Sequence, residues 1–171
     1  MKIFFDTNVV IEHLMQRERF DIMKQVLNRI IGGNHVLYMS AGGFYTILYV
    51  VDRFLNKEMH LEKENRIAVL RNMAQGLLNN YIIAGHDNES LLRSVNDLRF
   101  DDLEDSCQLQ AAVSAGCQCL LTFNAKDYPT DDNQIKVMTP EQFLVENPLK
   151  SLNPHNQTTD YTDETDNLIR N

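Results

Sequence analysis

Three groups of acidic side chains are the residues of this 171-residue sequence best suited to chemistry. Asp6 comes directly after an apolar run, Asp105 lies in an acidic run at residues 101–105, and Asp127 follows a further apolar run. In a parallel α/β sheet, ligands bind outside the carboxyl ends of the strands, so acids placed there are the first candidates for a site. Carboxylates that meet at one sheet edge without matching Lys or Arg repel one another unless a cation lies among them. Hard oxygen ligands of this kind suit Mg²⁺ or Mn²⁺ rather than zinc.

A divalent cation held by carboxylates indicates metal-assisted hydrolysis of a phosphodiester. The cation lowers the pKa of a bound water, orients it for in-line attack and offsets the charge that develops on the phosphate oxygens. No side-chain nucleophile is then required, and none of the five histidines has a partner for a catalytic triad. The sequence contains neither a Gly-x-x-x-x-Gly-Lys loop nor a Gly-x-Gly-x-x-Gly fingerprint, which argues against nucleotide-driven chemistry.

Each of these acids also has a simpler structural explanation. Asp102 is a natural N-cap, and acids in the first turn of a helix are stabilised by its dipole. Asp6 has the same explanation for the helix that follows it, and Asp127 is an ordinary turn residue before Tyr128-Pro129. The prediction of a site therefore depends on the convergence of these positions at one edge of the sheet.

Apolar periodicity places the acids on an alternating series of strands and helices. It predicts strands at residues 2–5, 35–39, 81–84, 118–123 and 135–138. It predicts helices at residues 9–14, 20–31, 60–78 and 102–115, and helices that begin after Ser40, Asp87 and Thr139. Because the strands are short and apolar almost throughout, we predict an α/β fold, a three-layer α/β/α sandwich with a mainly parallel sheet of four to five strands.

Composition narrows the functional class. Lys plus Arg number 16 against 24 Asp plus Glu, a net charge of −8, so the protein does not coat nucleic acid through a broad basic surface. No apolar run approaches the roughly 18 residues of a membrane span, and we expect a cytoplasmic protein without a membrane partner. The three cysteines have neither disulfide nor zinc spacing, and strand periodicity predicts Cys117 and Cys119 as buried residues on one face.

The domain organisation follows from a change in composition near Pro148. Residues 1–147 are predicted as one domain and residues 148–171 as a polar, acidic C-terminal tail. The tail is either a solvated end or an arm that docks on a partner through Tyr161, Leu168 and Ile169.

Three blocks of sequence, in order, resemble the PIN domain, a small nuclease fold that includes the VapC-type toxins of bacterial toxin–antitoxin pairs. The blocks are residues 3–11, residues 102–106 with the helix that follows, and residues 121–128, and the resemblance extends from residue 1 to about 144. It implies that Asp6, Asp105 and Asp127 are catalytic acids that bind Mg²⁺ or Mn²⁺, with no organic cofactor. It further implies that Asn8, Thr122 and Asn124 are polar neighbours that hold these acids or the substrate. Asp102 and Glu104 are second-rank candidate ligands, because the acidic run contains more acids than one cation could use.

The sequence departs from the family pattern at two positions. The family usually places a glutamate about six residues beyond the serine at Ser40, where this chain has Thr46. Glu12 or Asp52 would be the substitutes from neighbouring turns. The arginine that is frequent beside the family's asparagine is here Phe123, which removes a phosphate contact.

The resemblance implies a metal-dependent endoribonuclease, the toxin of a toxin–antitoxin pair, with RNA as substrate and an antitoxin as partner. The alternative is a catalytically weak or inactive PIN-like module that binds RNA or a protein, which the absent glutamate and the negative charge favour. A haloacid-dehalogenase-like phosphatase would need an aspartate at Asn8, and a response-regulator receiver would need a strand-end lysine that the sequence does not place.

The aromatic and apolar residues after Ser40 either fill the core or form a homodimer contact, namely Tyr45, Tyr49, Val50 and Phe54.

Overall fold

The computed structural model describes residues 1–129 and 134–148, and within them strands alternate with helices. The elements in chain order are β1 (Lys2–Phe5), α1 (Thr7–Leu14), α2 (Phe20–Gly32), β2 (Val36–Ser40), α3 (Ala41–Lys57), α4 (Lys63–Asn80), β3 (Tyr81–Ala84), α5 (Asn88–Asn96), α6 (Leu103–Ser114), β4 (Cys119–Leu121), β5 (Lys136–Met138) and α7 (Pro140–Glu146). A single 3-10 turn, Ala125–Asp127, follows β4. Apart from residue 148, the predicted tail, with Tyr161, Leu168 and Ile169, lies outside the described residues.

The five strands form one parallel sheet in the order β3-β2-β1-β4-β5. β1 is therefore the central strand, with Ile3 opposite Leu37 of β2 and Phe5 opposite Leu121 of β4. The backbone N–H of Asp6 continues this pairing by donating to the carbonyl oxygen of Leu121 at 3.0 Å. The residues that follow β1 and β4 consequently emerge side by side at one edge of the sheet.

Alternate residues of the central strand pack on opposite faces of the sheet. Ile3 and Phe5 contribute to a core that includes residues of α1, α2, α3, α4 and α7, whereas Phe4 contributes to a second core with residues of α6. All three side chains are almost completely buried. Helices thus cover both faces, which confirms the predicted three-layer arrangement.

The cysteines require one correction. Cys117 and Cys119 are both buried, as predicted, but they belong to the two different cores. β4 begins at Cys119, so Cys117 precedes the strand and the alternation of strand faces does not apply to it. The prediction that they share one face is wrong.

Side-chain caps set the starts of the helices around the predicted site. Asp6 accepts a hydrogen bond from the backbone N–H of Asn8, so α1 begins at Thr7, two residues before the predicted start. Ser40 Oγ accepts from the N–H of Gly43 at 2.8 Å, and Asp102 accepts from the N–H of Glu104 at 2.7 Å. The predicted N-caps Ser40 and Asp102 are confirmed.

Helix α3 approaches α1 closely at Gly43. A Cβ atom on this residue would lie 2.8 Å from Thr7 Oγ1 and 3.0 Å from Ser40 Oγ. The absence of a side chain therefore permits the contact between the two helices beside the residue that follows Asp6.

Two aromatic residues of α3 face solvent. Tyr45 and Tyr49 are 69% and 59% exposed, so the interpretation that they fill the core is wrong. Val50 is half-buried against the core, and Phe54 is partly exposed. Along the described part of the chain, no helix combines the length and the apolar character that crossing a membrane requires.

Candidate functional site

Asp6 lies directly after the central strand and is 2% exposed. Its Oδ1 accepts a hydrogen bond from Gln108 Nε2 at 2.8 Å, and its Oδ2 accepts from Asn8 Nδ2 at 2.7 Å and from Thr122 Oγ1 at 2.5 Å. Burial raises the pKa of Asp6, while the hydrogen bonds from Thr122 and Gln108 oppose that change. The carboxylate is consequently fixed in one orientation by three side-chain donors.

Gln108 of α6 joins Asp6 to the start of α1. Its Oε1 accepts from the backbone N–H of Thr7 at 3.0 Å and from Thr7 Oγ1 at 3.3 Å, which leaves Nε2 to donate to Asp6. Gln108 is itself buried. One turn earlier on α6, Glu104 Oε1 lies 3.4 Å from Thr7 Oγ1.

Asn8 and Thr122 connect the turn after β1 to the loop after β4. Asn8 Nδ2 lies 3.1 Å from Thr122 Oγ1, and Asn8 Oδ1 accepts from the backbone N–H of Phe123 at 3.2 Å. Thr122 Oγ1 also accepts from the N–H of Asn124 at 3.0 Å. These bonds hold the β4 loop against Asp6.

Asp105 is half-buried on α6 and is linked to Asp6 through Tyr128. The Tyr128 hydroxyl lies 3.4 Å from Asp6 Oδ2 and 3.5 Å from Asp105 Oδ1. Burial raises the pKa of Asp105 to about 7, and negative charges on four neighbouring acids add to the rise, namely Asp6, Asp102, Asp127 and Glu104. Asp105 therefore lies where its charged form is disfavoured.

The remaining predicted acids lie on the exposed side of this group. Burial, followed by the charges of Asp6 and Asp102, raises the pKa of Glu104. Asp127 is exposed in the 3-10 turn and acts on Asp105 through its charge. Asn124, also exposed, immediately precedes this turn. The structure thus brings Asp6, Glu104 and Asp105 together and leaves Asp127 and Asn124 at the rim.

The donor set fits a hard divalent cation in ligand type and in charge. In residues 1–129 and 134–148, no Lys or Arg forms an ion pair with Asp6, Glu104 or Asp105. A bound cation would offset the repulsion that raises the pKa of Glu104 and Asp105. Within those same residues, however, no three Asp, Glu, His or Cys side chains already form a metal-binding group.

Neither acid suggested as a replacement for the family glutamate takes that place. Glu12 Oε1 accepts from the backbone N–H of Arg19 at 2.6 Å, and Asp52 forms an ion pair with Arg66 at 3.0 Å. That part of the prediction is wrong because both carboxylates are engaged elsewhere. The additional acid beside Asp6 is Glu104, supplied by α6.

Sequence reasoning missed three residues of the site: Thr7, Gln108 and Tyr128. Gln108 lies three residues after Asp105 and therefore shares its helical face, which is the one signal that pointed to it. The one signal for Tyr128 was its position next to Asp127 in the sequence. Their partners lie about a hundred residues away, so no local pattern reveals the contacts.

These features define a small α/β/α protein with an acidic site at the carboxyl edge of a parallel sheet. Residues 2–126 match the PIN domain. The chain belongs to the PIN domain family, as its sequence blocks predicted. No curated protein sequence matches the chain.

Solved structures with the same fold come from toxin–antitoxin systems. A toxin–antitoxin complex from Klebsiella pneumoniae is 23% identical, with 81% of this chain and 97% of that chain covered and a TM-score of 0.52. VapBC-1 from nontypeable Haemophilus influenzae is 17% identical, with 82% and 99% covered and a TM-score of 0.58. VapBC2 from Rickettsia felis, bound to a DNA fragment from its promoter, is 13% identical, with 81% and 98% covered and a TM-score of 0.56. At these identities the similarity concerns the fold.

Proposed function

We propose that this PIN domain is a metal-dependent endoribonuclease that hydrolyses RNA phosphodiesters at the acidic site. The observation that carries the proposal is the convergence of Asp6, Glu104 and Asp105 at the carboxyl edge of the sheet without a paired Lys or Arg among the described residues. Members of the family are typically nucleases and generally use divalent metals, which supports both parts of the proposal.

The side chains of the site have distinct roles in this proposal. Asp6, Asp105 and Asp127 would hold Mg²⁺ or Mn²⁺, which supplies an activated water and offsets charge on the phosphate. Gln108, Asn8 and Thr122 keep the Asp6 carboxylate in one orientation. The Tyr128 hydroxyl holds Asp105 near Asp6, and Asp102 and Glu104 add negative charge. Asn124 offers an exposed amide to the substrate at the rim.

The test is cleavage of labelled single-stranded and structured RNAs with Mn²⁺, with Mg²⁺ and with a chelator, and of single-stranded DNA of the same sequence. Asp105→Asn and Asp127→Asn are the informative variants because both side chains are at least partly exposed. Asp6→Asn is a weaker test, since an amide at this position would turn a donor toward Gln108, Asn8 or Thr122. Asp21→Asn on α2 removes an equal charge from an exposed position and serves as the control.

We expect RNA cleavage that requires the metal, is lost in Asp105→Asn and Asp127→Asn, and persists in Asp21→Asn. Metal-independent cleavage, or full activity in both site variants, would contradict the proposal. Cleavage of DNA in place of RNA would support a nuclease whose substrate is DNA.

A second candidate is a PIN module that binds RNA or a protein without catalysis. Thr46 in place of the family glutamate favours it, as does the lack of a ready-made metal-binding group in the described residues. Calorimetric titration with Mn²⁺ separates the two candidates. Absence of both cleavage and divalent-ion binding would support the binding module.

We further propose that the chain is the toxin of a toxin–antitoxin pair that acts in the cytoplasm. The support is the fold shared with structures from such systems. Residues 1–147 would form the nuclease domain and residues 148–171 a separate tail. The exposed Tyr45 and Tyr49 of α3 support a homodimer through this helix, because large exposed aromatic residues are enriched at protein interfaces.

A further inference from the structure

A cation lies on an aromatic ring at the rim of the acidic site. The guanidinium carbon of Arg19 is 4.6 Å from the centroid of the Phe123 ring. Arg19 comes from the connection between α1 and α2, whereas Phe123 comes from the loop after β4. Two segments more than a hundred residues apart therefore place this charge.

The backbone of Arg19 is anchored while its guanidinium donors remain open. Its N–H donates to Glu12 Oε1 at 2.6 Å, and its carbonyl oxygen accepts from the N–H of Met23 in the first turn of α2. Arg19 is exposed, and its guanidinium forms no hydrogen bond or ion pair with any described residue. Stacking on a ring uses the face of the guanidinium plane and leaves the N–H groups at its edge available.

The ring that carries Arg19 belongs to the loop that holds the site. The backbone N–H of Phe123 donates to Asn8 Oδ1, and the same Asn8 side chain donates to Asp6 Oδ2 at 2.7 Å. Phe123 also lies between Thr122, which donates to Asp6, and Asn124 at the rim. The charge of Arg19 is thus held on the loop that orients Asp6, and among the described residues it forms no ion pair with the acids of the site.

We propose that Arg19, positioned by Phe123, binds a backbone phosphate of the RNA strand that enters the acidic site. The inference rests on the proposed function and adds the contact that orients its substrate. A chain with a net charge of −8 repels nucleic acid overall, so approach of a strand requires cations placed at the site. A planar guanidinium donates two parallel hydrogen bonds to a phosphate, which fixes the strand as well as attracting it. Because Arg19 lies at the rim, the phosphate it binds flanks the one that reacts.

The competing explanation is that the stacked pair only pins the α1–α2 connection to the β4 loop. RNA binding separates the two explanations, and it is measured with Mg²⁺ in the Asp105→Asn background, where the strand is not cut. Arg19→Ala, Arg19→Lys and Phe123→Leu are compared with Arg17→Ala. Arg17 is the matched control, since it is exposed in the same connection and its guanidinium contacts the Met15 sulfur rather than the ring.

We expect Arg19→Ala to weaken RNA binding about tenfold and to reduce the slope of log affinity against log salt by about 0.7, as for one lost phosphate contact on a single strand. Arg19→Lys keeps the positive charge but lacks the planar guanidinium group. We expect its affinity for RNA to lie between those of Arg19→Ala and the wild type. Phe123→Leu leaves the charge unchanged, and it weakens binding because Arg19 loses its support. Arg17→Ala changes affinity and slope little. In the enzyme with Asp105 intact, Arg19→Ala raises KM more than it lowers kcat.

The inference is overturned if Arg19→Ala and Arg17→Ala have the same affinity and the same salt slope while the wild type cuts RNA. It is equally overturned if Arg19→Ala lowers only the thermal midpoint of the protein, because the contact of Arg19 with Phe123 then only stabilises the fold. A wild type that neither binds nor cuts RNA overturns the proposed function as well.

Discussion

The surroundings of Asp105 disfavour the charged form of its carboxyl group. Burial and four neighbouring acids raise its pKa to about 7, well above the ordinary value of 3.8. In the folded protein without metal, Asp105 therefore holds its proton up to a higher pH than in the unfolded chain. The stability contributed by this proton is complete below the unfolded pKa and is lost as the pH rises through about 7.

Asp105→Asn should consequently stabilise the metal-free protein at about pH 8 and stabilise it by less than half as much at about pH 5. We expect a gain of about 1 kcal/mol at the higher pH, because solvent screens a half-exposed group and reduces the effect of its pKa shift. Urea unfolding with a chelator, at both pH values, measures it. Asp21→Asn, which removes the same charge from an exposed position, should show no such pH dependence. Equal behaviour of the two variants would contradict the electrostatic account.

Some residues of the site can be recognised from the sequence around them, and others cannot. Asp6 directly follows a predicted strand, so strand prediction placed it at the sheet edge, whereas Asn8 and Thr122 were expected from the resemblance to the family. Gln108 and Tyr128 have no such signature, because each acts through an atom contributed by a distant segment. Sequence reasoning thus named the acids together with Asn8 and Thr122, and it missed Gln108 and Tyr128.

Among the elements, those with uninterrupted apolar runs were predicted best. β1 and β3 begin and end where the sequence analysis placed them, because both are bounded by polar residues or turns. β4 is shorter than residues 118–123, because after Leu121 the chain turns into the loop at the site, where the Thr122 hydroxyl donates to Asp6 and the Phe123 N–H donates to Asn8. The α4 prediction began at residue 60 rather than at Lys63, because the apolar spacing does not define where a helix starts without a capping side chain.

The contact between α1 and α3 yields a prediction at the level of elements. Gly43→Ala places a methyl group 2.8 Å from Thr7 Oγ1, so either the Thr7 side chain must give up its position or the helices must shift. We expect a loss of about 1–3 kcal/mol in the free energy of unfolding, the usual range for overpacking. Chemical denaturation measures the loss.

Gly42→Ala is the matched control, since its added methyl group would lie 3.9 Å from Ser40 Oγ in ordinary contact. At this exposed helical position the change should be neutral or stabilising by up to about 1 kcal/mol. If both variants lost the same stability, the contact with Thr7 would not be the cause, because helix propensity favours Ala over Gly at both positions.

At the scale of the whole molecule, the exposed face of α3 leads to a prediction about assembly. Tyr45 and Tyr49 are the most exposed aromatic residues of this helix. If they form the proposed homodimer contact, light scattering should give about twice the chain mass of 19.8 kDa. Tyr45→Asp combined with Tyr49→Asp should give the mass of a single chain. Val145→Asp, at an 80% exposed position of α7, should leave the dimer intact. A wild type with the mass of one chain would contradict the homodimer.

The order of strands in the sheet also has a consequence for synthesis of the chain. β1 precedes the other four strands of the sheet in the chain, yet it becomes the central strand and must wait for β4 to pair with its second edge. The three side chains that hold or approach Asp6 from outside its own turn, Gln108, Thr122 and Tyr128, follow it by 102, 116 and 122 residues. During translation the acidic site around Asp6 therefore stays incomplete until the segment that contains Tyr128 has emerged from the ribosome. Termination of translation between Asp6 and Gln108 releases a fragment in which Asp6 has none of these partners.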